Sequence, residues 1–176
     1  MLSYAYYAVD LYSIDCVSHN LVMTIISELG HGYKKFSSSK EFTSYLRLAP
    51  NNKISKGKIL TGRTPKGKNV LGKAFRDAAN TVGLKKSGSL NAFFKRKAYQ
   101  KGRGAAITAT ARKLATIVWH MLMYKNDYTP MSEEVYNEKI KQRTITNINQ
   151  KMKRLGIKQE ELNTYKPLHN LQLQKC

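Results

Sequence analysis

A single serine, Ser55, lies between lysines in a stretch rich in glycine and proline, residues 46–69. A serine hydroxyl can attack a phosphodiester and hold the cleaved DNA end covalently. Lys53, Lys56 and Lys58 would favour its alkoxide and neutralise the charge that develops on the pentavalent phosphorus, and Gly57 lets the backbone approach a phosphate closely. We therefore predict Ser55 as a candidate nucleophile. A plain loop serine is the alternative, because no general base is evident in the sequence.

The stretch from residue 50 to residue 69 contains six cations and no carboxylate. Loops of this length inside a compact domain are usually functional or disordered, and the natural ligand of such a loop is a polyanion, above all a nucleic-acid backbone. Further cations lie on the polar sides of the helices that follow. The predicted nucleic-acid-binding residues are Lys53, Lys56, Lys58, Arg63, Lys66, Lys68, Arg76, Arg112 and Lys113.

The charge of the whole chain supports the same ligand. The 176 residues have a formal net charge of +20, and residues 53–103 hold fifteen cations against one acid, Asp77. An anionic membrane surface is the second candidate, but these charges are spread over loops and several helices instead of one basic amphipathic helix. No run of about 18 apolar residues is present, so we expect no membrane span.

Other chemistries are not supported by the residue patterns. The sequence contains no Gly-rich phosphate loop, no His-Glu-x-x-His and no Cys-x-x-Cys motif. Its acids are scattered and its histidines show no ligand spacing, so no metal site is predicted in this chain. Cys16 and Cys176 lie too far apart in sequence for a metal knuckle or a disulfide framework. This usage favours a reduced, cytoplasmic compartment.

The elements that would position these residues are predicted to be helices. Apolar residues recur at helical spacing, and no alternating run of useful length indicates a strand. Helices are predicted over 13–30 (after an initial turn), 38–48, 66–82, 89–101, 105–124 and 131–155. The first has the layout of a helix-hairpin-helix, which grips DNA phosphates at its turn, or of a plain core hairpin. The last is expected to be an exposed amphipathic or partner-binding helix.

Helix ends are indicated by specific residues. Ser18 or Asn20 can cap the first helix, and Ser38 with Glu41 forms a capping-box pattern. Thr64 and Pro65 suit the N-cap and first position of the helix at 66–82, and Gly83 suits its end. Residues 105–124 are small or apolar nearly all round, which is typical of a central buried helix. The sequence thus predicts an all-α fold with a long basic loop.

A set of ordered motifs over residues 11–130 resembles the C-terminal transposase domain of the insertion sequence one-ten family, which includes the Piv-type invertases. The matching segments are Ile26-Ser-Glu-Leu-Gly30, Phe36-x5-Phe42-x2-Tyr45-Leu-x-Leu-Ala-Pro50, Lys53-Ile-Ser-Lys-Gly-Lys58, Gly62-Arg-x-Pro-Lys-Gly67 with Asn69, and Ala109-x-Ala-Arg-Lys-Leu-Ala115 with Trp119 and Tyr128.

The resemblance implies a mostly helical domain that takes part in DNA transposition. It implies a catalytic serine in a Ser-Gly-Gly-Lys type loop, which corresponds to Ser55, and a phosphoserine link to DNA. In this sequence Lys56 stands in place of the first glycine of that loop. Members of the family also have an N-terminal RuvC-like domain with acidic metal ligands, and some are guided by a structured RNA.

That N-terminal domain has no counterpart here, so we expect a truncated transposase whose Mg²⁺ site lies outside this chain and which is inactive alone. The expected organisation is a linker remnant at 1–12, a helical DNA-binding and catalytic domain at 13–130, and a C-terminal helix and tail at 131–176. The apolar residues of 1–12 are expected to lack partners within the chain, which favours a homo-oligomer.

The expected partners are therefore DNA, a structured guide RNA as in some relatives, and a further copy of the chain, with no membrane. The expected location is the bacterial cytoplasm, associated with the nucleoid. The alternative function is a basic helical module that binds DNA or RNA without catalysis. The two functions differ at Ser55, which matters only if the chain is an enzyme.

Overall fold

In a computed structural model that describes residues 2–62, 64–65 and 67–157, the described residues form seven α-helices, one β-hairpin and two 3₁₀ turns, Leu11–Ser13 and Gly30–Lys35. Two compact units are present, residues 1–133 and residues 134–176. The all-α prediction is confirmed. The elements are α1 (Leu2–Tyr7), α2 (His19–Leu29), α3 (Ser39–Tyr45), β1 (Lys53–Ser55), β2 (Lys58–Thr61), α4 (Val70–Leu84), α5 (Ser89–Lys101), α6 (Arg103–Tyr124) and α7 (Glu133–Leu155).

The core of the first unit is built around α6. This helix packs against α3, α4 and α5, and its small side chains allow close approach of its neighbours. Its buried residues include Ala106, Ala111, Leu114, Ala115 and Val118. The sequence-based interpretation of this segment as a central buried helix is therefore correct.

The N-terminal segment is part of that core. Tyr7, Val9 and Leu11 are buried, and the Tyr7 hydroxyl donates to the carbonyl oxygen of Gly30 at 3.1 Å. The expectation that the apolar residues of 1–12 lack partners is wrong, because they pack on residues far along the chain that a local pattern does not reveal. The assignment of the following turn and α2 as a helix-hairpin-helix stays a prediction, as do the domain boundaries.

Two helices begin where the sequence indicates. Ser18 caps α2, and Ser38 Oγ accepts a hydrogen bond from the backbone N–H of Glu41 at 3.3 Å. The Glu41 carboxylate accepts from the N–H of Ser37 at 2.9 Å, one residue before the position that a standard capping box uses. Local capping chemistry was thus sufficient to locate these two starts.

The start and end of α4 differ from the prediction. Asn69, not Thr64, is the N-cap, and its Oδ1 accepts from the N–H of Gly72 at 2.6 Å. Gly83 lies inside the helix, which ends at Leu84; a methyl group at Gly83 would lie 2.6 Å from the Phe94 ring. Gly83 is therefore required for the close approach of α5 and does not end α4.

The N-terminal half of α4 clamps the C-terminus of α3. Asn69 Nδ2 donates to the carbonyl oxygen of Tyr45 at 3.2 Å, and Arg76 Nη2 donates to that of Arg47 at 2.8 Å. Between them, Gly72 approaches the carbonyl oxygen of Leu46 so closely that a Cβ atom would overlap it. Since the last carbonyls of a helix lack partners within it, the Asn69 contact satisfies that of Tyr45, and together the three contacts fix the chain where it leaves α3.

Asn69→Ala is expected to lower the free energy of unfolding by about 1–2 kcal/mol, the usual cost of a lost N-cap, and to release the Tyr45 carbonyl. Asn69→Asp should retain the N-cap hydrogen bond from the Gly72 N–H and lose only the hydrogen bond to the Tyr45 carbonyl. Urea denaturation measures both. Thr64→Ala is the control and should be nearly neutral; a loss as large as that of Asn69→Ala would restore Thr64 as the cap.

Candidate nucleic-acid interface

Ser55 lies at the tip of a β-hairpin that the sequence did not predict. β1 and β2 are antiparallel, with Ser55 opposite Lys58 and Ile54 opposite Ile59. The two residues between the strands, Lys56 and Gly57, have φ angles of 48° and 75°, as a type I′ turn requires. The Ser55 residue is exposed. The hairpin therefore projects the candidate nucleophile into solvent on a short, well-defined turn.

Lys56 occupies a turn position that suits glycine or asparagine. A left-handed conformation costs a residue with a side chain roughly 1–2 kcal/mol relative to glycine. This cost is the physical reason for the glycine that the resemblance leads us to expect at position 56. Lys56 adds a cation next to Ser55 and makes the turn less stable.

An open groove of about 790 Å³ lies between the base of the hairpin and helices α5 and α6. Cations on its wall come from both helices, and none of its lining residues is acidic. Small and apolar residues form the rest of the surface, so a chain with flat bases and a charged backbone would fit it. It is lined by Leu48, Pro50, Gly62, Thr64, Phe93, Lys97, Lys101, Gly104, Ala105, Thr108, Ala109 and Arg112. We call this surface the basic groove.

Phe93 lies at the centre of a group of cations beside the basic groove. Lys113 Nζ is 4.7 Å from the centre of the Phe93 ring, and Arg96 Cζ and Lys97 Nζ are each 5.9 Å from it. Cation–π attraction holds each cation to the ring, but the cations repel one another. Burial and the nearby Arg96 lower the pKa of Lys113. A bound anion would relieve both effects.

Arg76 has a structural contact as well as its predicted role. Its guanidinium donates to the carbonyl oxygen of Arg47. The backbone of Arg47 has a φ angle of 56°. The Arg47 guanidinium in turn lies directly against Gly67, where a Cβ atom would overlap it. The end of the Arg47 side chain is flexible and could move aside, but the φ angle of 129° at position 67 favours glycine there. Contact of Arg76 with nucleic acid stays a prediction.

The other predicted binding residues fall in four groups. Lys56 and Lys68 are exposed in the loop, whereas Arg112 lines the basic groove and Lys113 faces Phe93. Lys53 and Lys58 belong to the two strands. Arg63 and Lys66 lie outside the described residues.

Sequence reasoning did not select Lys97, Lys101 and Phe93 as site residues. They follow one another at spacings of four on α5, so a single helical face contains all three. That spacing was the available signal. Phe93 is half-buried, so part of its ring packs in the protein and part remains accessible.

Among the described residues, no three His, Cys, Asp or Glu side chains come close enough together to hold a metal ion. No helix in the same part of the chain is long and apolar enough to cross a bilayer.

Residues 10–95 match the family model described as Transposase IS116/IS110/IS902 family. The match covers the segment from the first 3₁₀ turn to the middle of α5, including the whole hairpin. No curated protein and no solved structure matches the chain.

Affinity for a short DNA duplex is expected to fall as the pH rises from about 8 to 10, toward the ordinary lysine pKa. The pKa of Lys113 is lowered in the free protein, and a nearby phosphate would raise it, so binding in this window takes up a proton. One such proton changes affinity by at most about tenfold per pH unit. Titrations at constant ionic strength measure the slope.

Lys113→Arg is the control, because arginine stays charged throughout this range. The variant should show a shallower pH dependence than the wild type. Identical slopes for the two proteins would show that Lys113 does not contact the bound phosphate.

Proposed function

Residues 10–95 match the transposase IS116/IS110/IS902 family, so the chain contains a transposase domain of that family, and from this premise we propose that the chain binds DNA along the basic groove and uses Ser55 to cleave and rejoin strands. The family implies DNA transposition as the process and DNA as the partner. The residues that bind and react are our proposal.

One observation supports the proposal above the others. The hairpin that presents Ser55 continues at its base, through Gly62 and Thr64, into the wall of the basic groove. A DNA strand held by Lys97, Lys101 and Arg112 would therefore run close to the same segment that holds the serine. No acidic side chain among the groove residues opposes the phosphates, and each neutralised phosphate releases counterions and strengthens binding.

The proposed reaction is a transesterification. The Ser55 Oγ forms a bond to phosphorus, the bond between phosphorus and a deoxyribose oxygen breaks, and the departing hydroxyl gains the proton that the serine loses. Energy is conserved in the phosphoserine bond, so a second strand's hydroxyl can reverse the step and rejoin DNA. Cations near the hairpin stabilise the extra negative charge of the transition state. No step is assigned to a metal ion.

The alternative is a module that binds DNA or RNA without catalysis. The basic groove supports this function equally, because its lining is complete without Ser55. The two proposals differ in whether a covalent intermediate forms.

Three further features of the proposal follow from the family and the charge. They are a structured guide RNA as a second nucleic-acid ligand, assembly into a homo-oligomer on DNA, and association with the bacterial nucleoid.

The double variant Lys97→Ala/Lys101→Ala is expected to reduce the slope of log affinity against log salt by about two, since each phosphate contact contributes roughly 0.9 on B-form DNA. Fluorescence anisotropy titrations at several salt concentrations measure the slope. Lys34→Ala/Lys35→Ala is the matched control, because it removes the same charge from exposed positions that do not line the groove. Equal effects of the two pairs would mean that net charge alone governs binding.

Ser55→Ala is expected to abolish any covalent protein–DNA adduct and to change DNA affinity by less than about twofold, because a hydroxyl contributes little to backbone binding compared with the cations. Adducts are detected on a denaturing gel with end-labelled DNA. Ser87→Ala, another exposed serine, should keep the adduct. An adduct that persists in Ser55→Ala rejects Ser55 as the nucleophile. Because the chain is expected to be inactive alone, absence of the adduct from the wild type favours the non-enzymatic module only when an N-terminal RuvC-like domain is supplied in trans.

A further inference from the structure

The helix α7 has a cationic surface that is separate from the basic groove. Between residues 139 and 155 it contains six cations and no acid, and all six cations are exposed. The helix belongs mostly to the second unit of the chain, beyond the segment matched by the family model. This surface includes neither Ser55 nor any residue that lines the basic groove.

Between residues 139 and 155, most side chains of α7 fall in one of two opposite sectors of the helix surface. At about 100° per residue, eight exposed polar residues fall within an arc of about 140°. Five of them, Lys139, Gln142, Arg143, Thr146 and Asn147, line one shallow groove on the helix surface. We call this sector the polar face of α7; its members are Lys139, Gln142, Arg143, Thr146, Asn147, Gln150, Lys153 and Arg154.

The opposite sector contains the apolar side chains. It holds Ile140, Ile145, Ile148, Met152 and Leu155. Two cations, Lys141 and Lys151, lie in this sector at exposed positions, Lys141 nearer its middle. Lys141 thus shares its exposure with the polar face but points the other way.

The composition of the polar face indicates what it binds. Cations alone would suit any polyanion, but this face alternates them with the amides of Gln142, Asn147 and Gln150. Amide and guanidinium groups are the side chains that pair with adenine and guanine edges in the major groove. That groove is about 12 Å wide, which admits a helix of this kind.

A membrane surface fits the same helix less well. Helices that lie on anionic lipid usually insert Trp, Phe or Leu from a large apolar face and need only cations on the other side. The apolar sector of α7 has no aromatic residue and includes Lys141 at its centre. Amides on the polar face would have no function there.

We propose that the polar face of α7 lies in the major groove of duplex DNA and contacts base edges, as a second DNA-binding element in addition to the basic groove. Arg143 and Asn147 are the residues that contact bases, and Lys139, Lys153 and Arg154 contact the flanking phosphates.

The test compares Arg143→Ala with Lys141→Ala in the full chain. Both changes remove one charge from an exposed position of one helix, and both introduce the residue with the highest helix propensity. Arg143→Ala is expected to weaken binding to a DNA duplex by about fivefold or more, the usual effect of a lost base contact. Lys141→Ala is expected to change it by about threefold or less, because it lies off the bound face. Equal effects would overturn the proposal.

Selection from a randomised duplex pool adds a readout that charge alone does not affect. The wild type should enrich a short sequence, and Arg143→Ala/Asn147→Ala should lose that enrichment while the Lys97→Ala/Lys101→Ala variant of the basic groove keeps it. Loss of enrichment only in the groove variant would overturn the inference and leave the proposed function intact.

Two other ligands distinguish the class of partner. An RNA duplex has a deep, narrow major groove that a helix does not enter, so its affinity should not depend on Arg143. Vesicles of phosphatidylglycerol should not compete for α7. Arg143-dependent binding of the RNA duplex, or protection of α7 by the vesicles, would overturn the proposal.

Discussion

Three successive residues at and just beyond the end of α3 contact the first half of α4. Asn69 donates to Tyr45, Gly72 packs on Leu46, and Arg76 donates to Arg47. This clamp sets the direction in which the chain leaves α3, and the next element along the chain is the hairpin with Ser55. The position of the candidate nucleophile relative to the basic groove therefore depends on a contact between two helices, made largely by backbone groups. A substitution at Asn69, Gly72 or Arg76 would therefore alter the position of Ser55 without contacting it.

Charge is the second constraint on the first unit. Arg96, Lys97 and Lys113 surround one aromatic ring, and burial lowers the pKa of Lys113. Such an arrangement of like charges costs stability in the free protein. The apolar core around α6 offsets this cost, because helices packed on small residues hold the cations in place.

The sequence allowed the helices to be predicted well and the site only in part. Ser18 and Ser38 mark helix starts through chemistry within four residues, so the pattern was sufficient. Asn69 was missed because Thr64 and Pro65 form a stronger local signal, whereas Asn69 is favoured by a contact 24 residues away. The hairpin was missed because its strands have three and four residues and its turn contains lysine where asparagine or glycine is usual. The basic groove combines three distant segments, which no local pattern brings together.

The side chain of Lys125 joins the two ends of the first unit. Its ammonium donates to the carbonyl oxygen of Tyr7 at 2.8 Å, across 118 positions of sequence, and to the Tyr33 hydroxyl at 3.1 Å. Ribosomes add about 5–20 residues per second. The carbonyl of Tyr7 thus leaves the ribosome on the order of ten seconds before its partner. During translation α1 is held only by its nearer neighbours, such as the carbonyl of Gly30, until the end of α6 has been made.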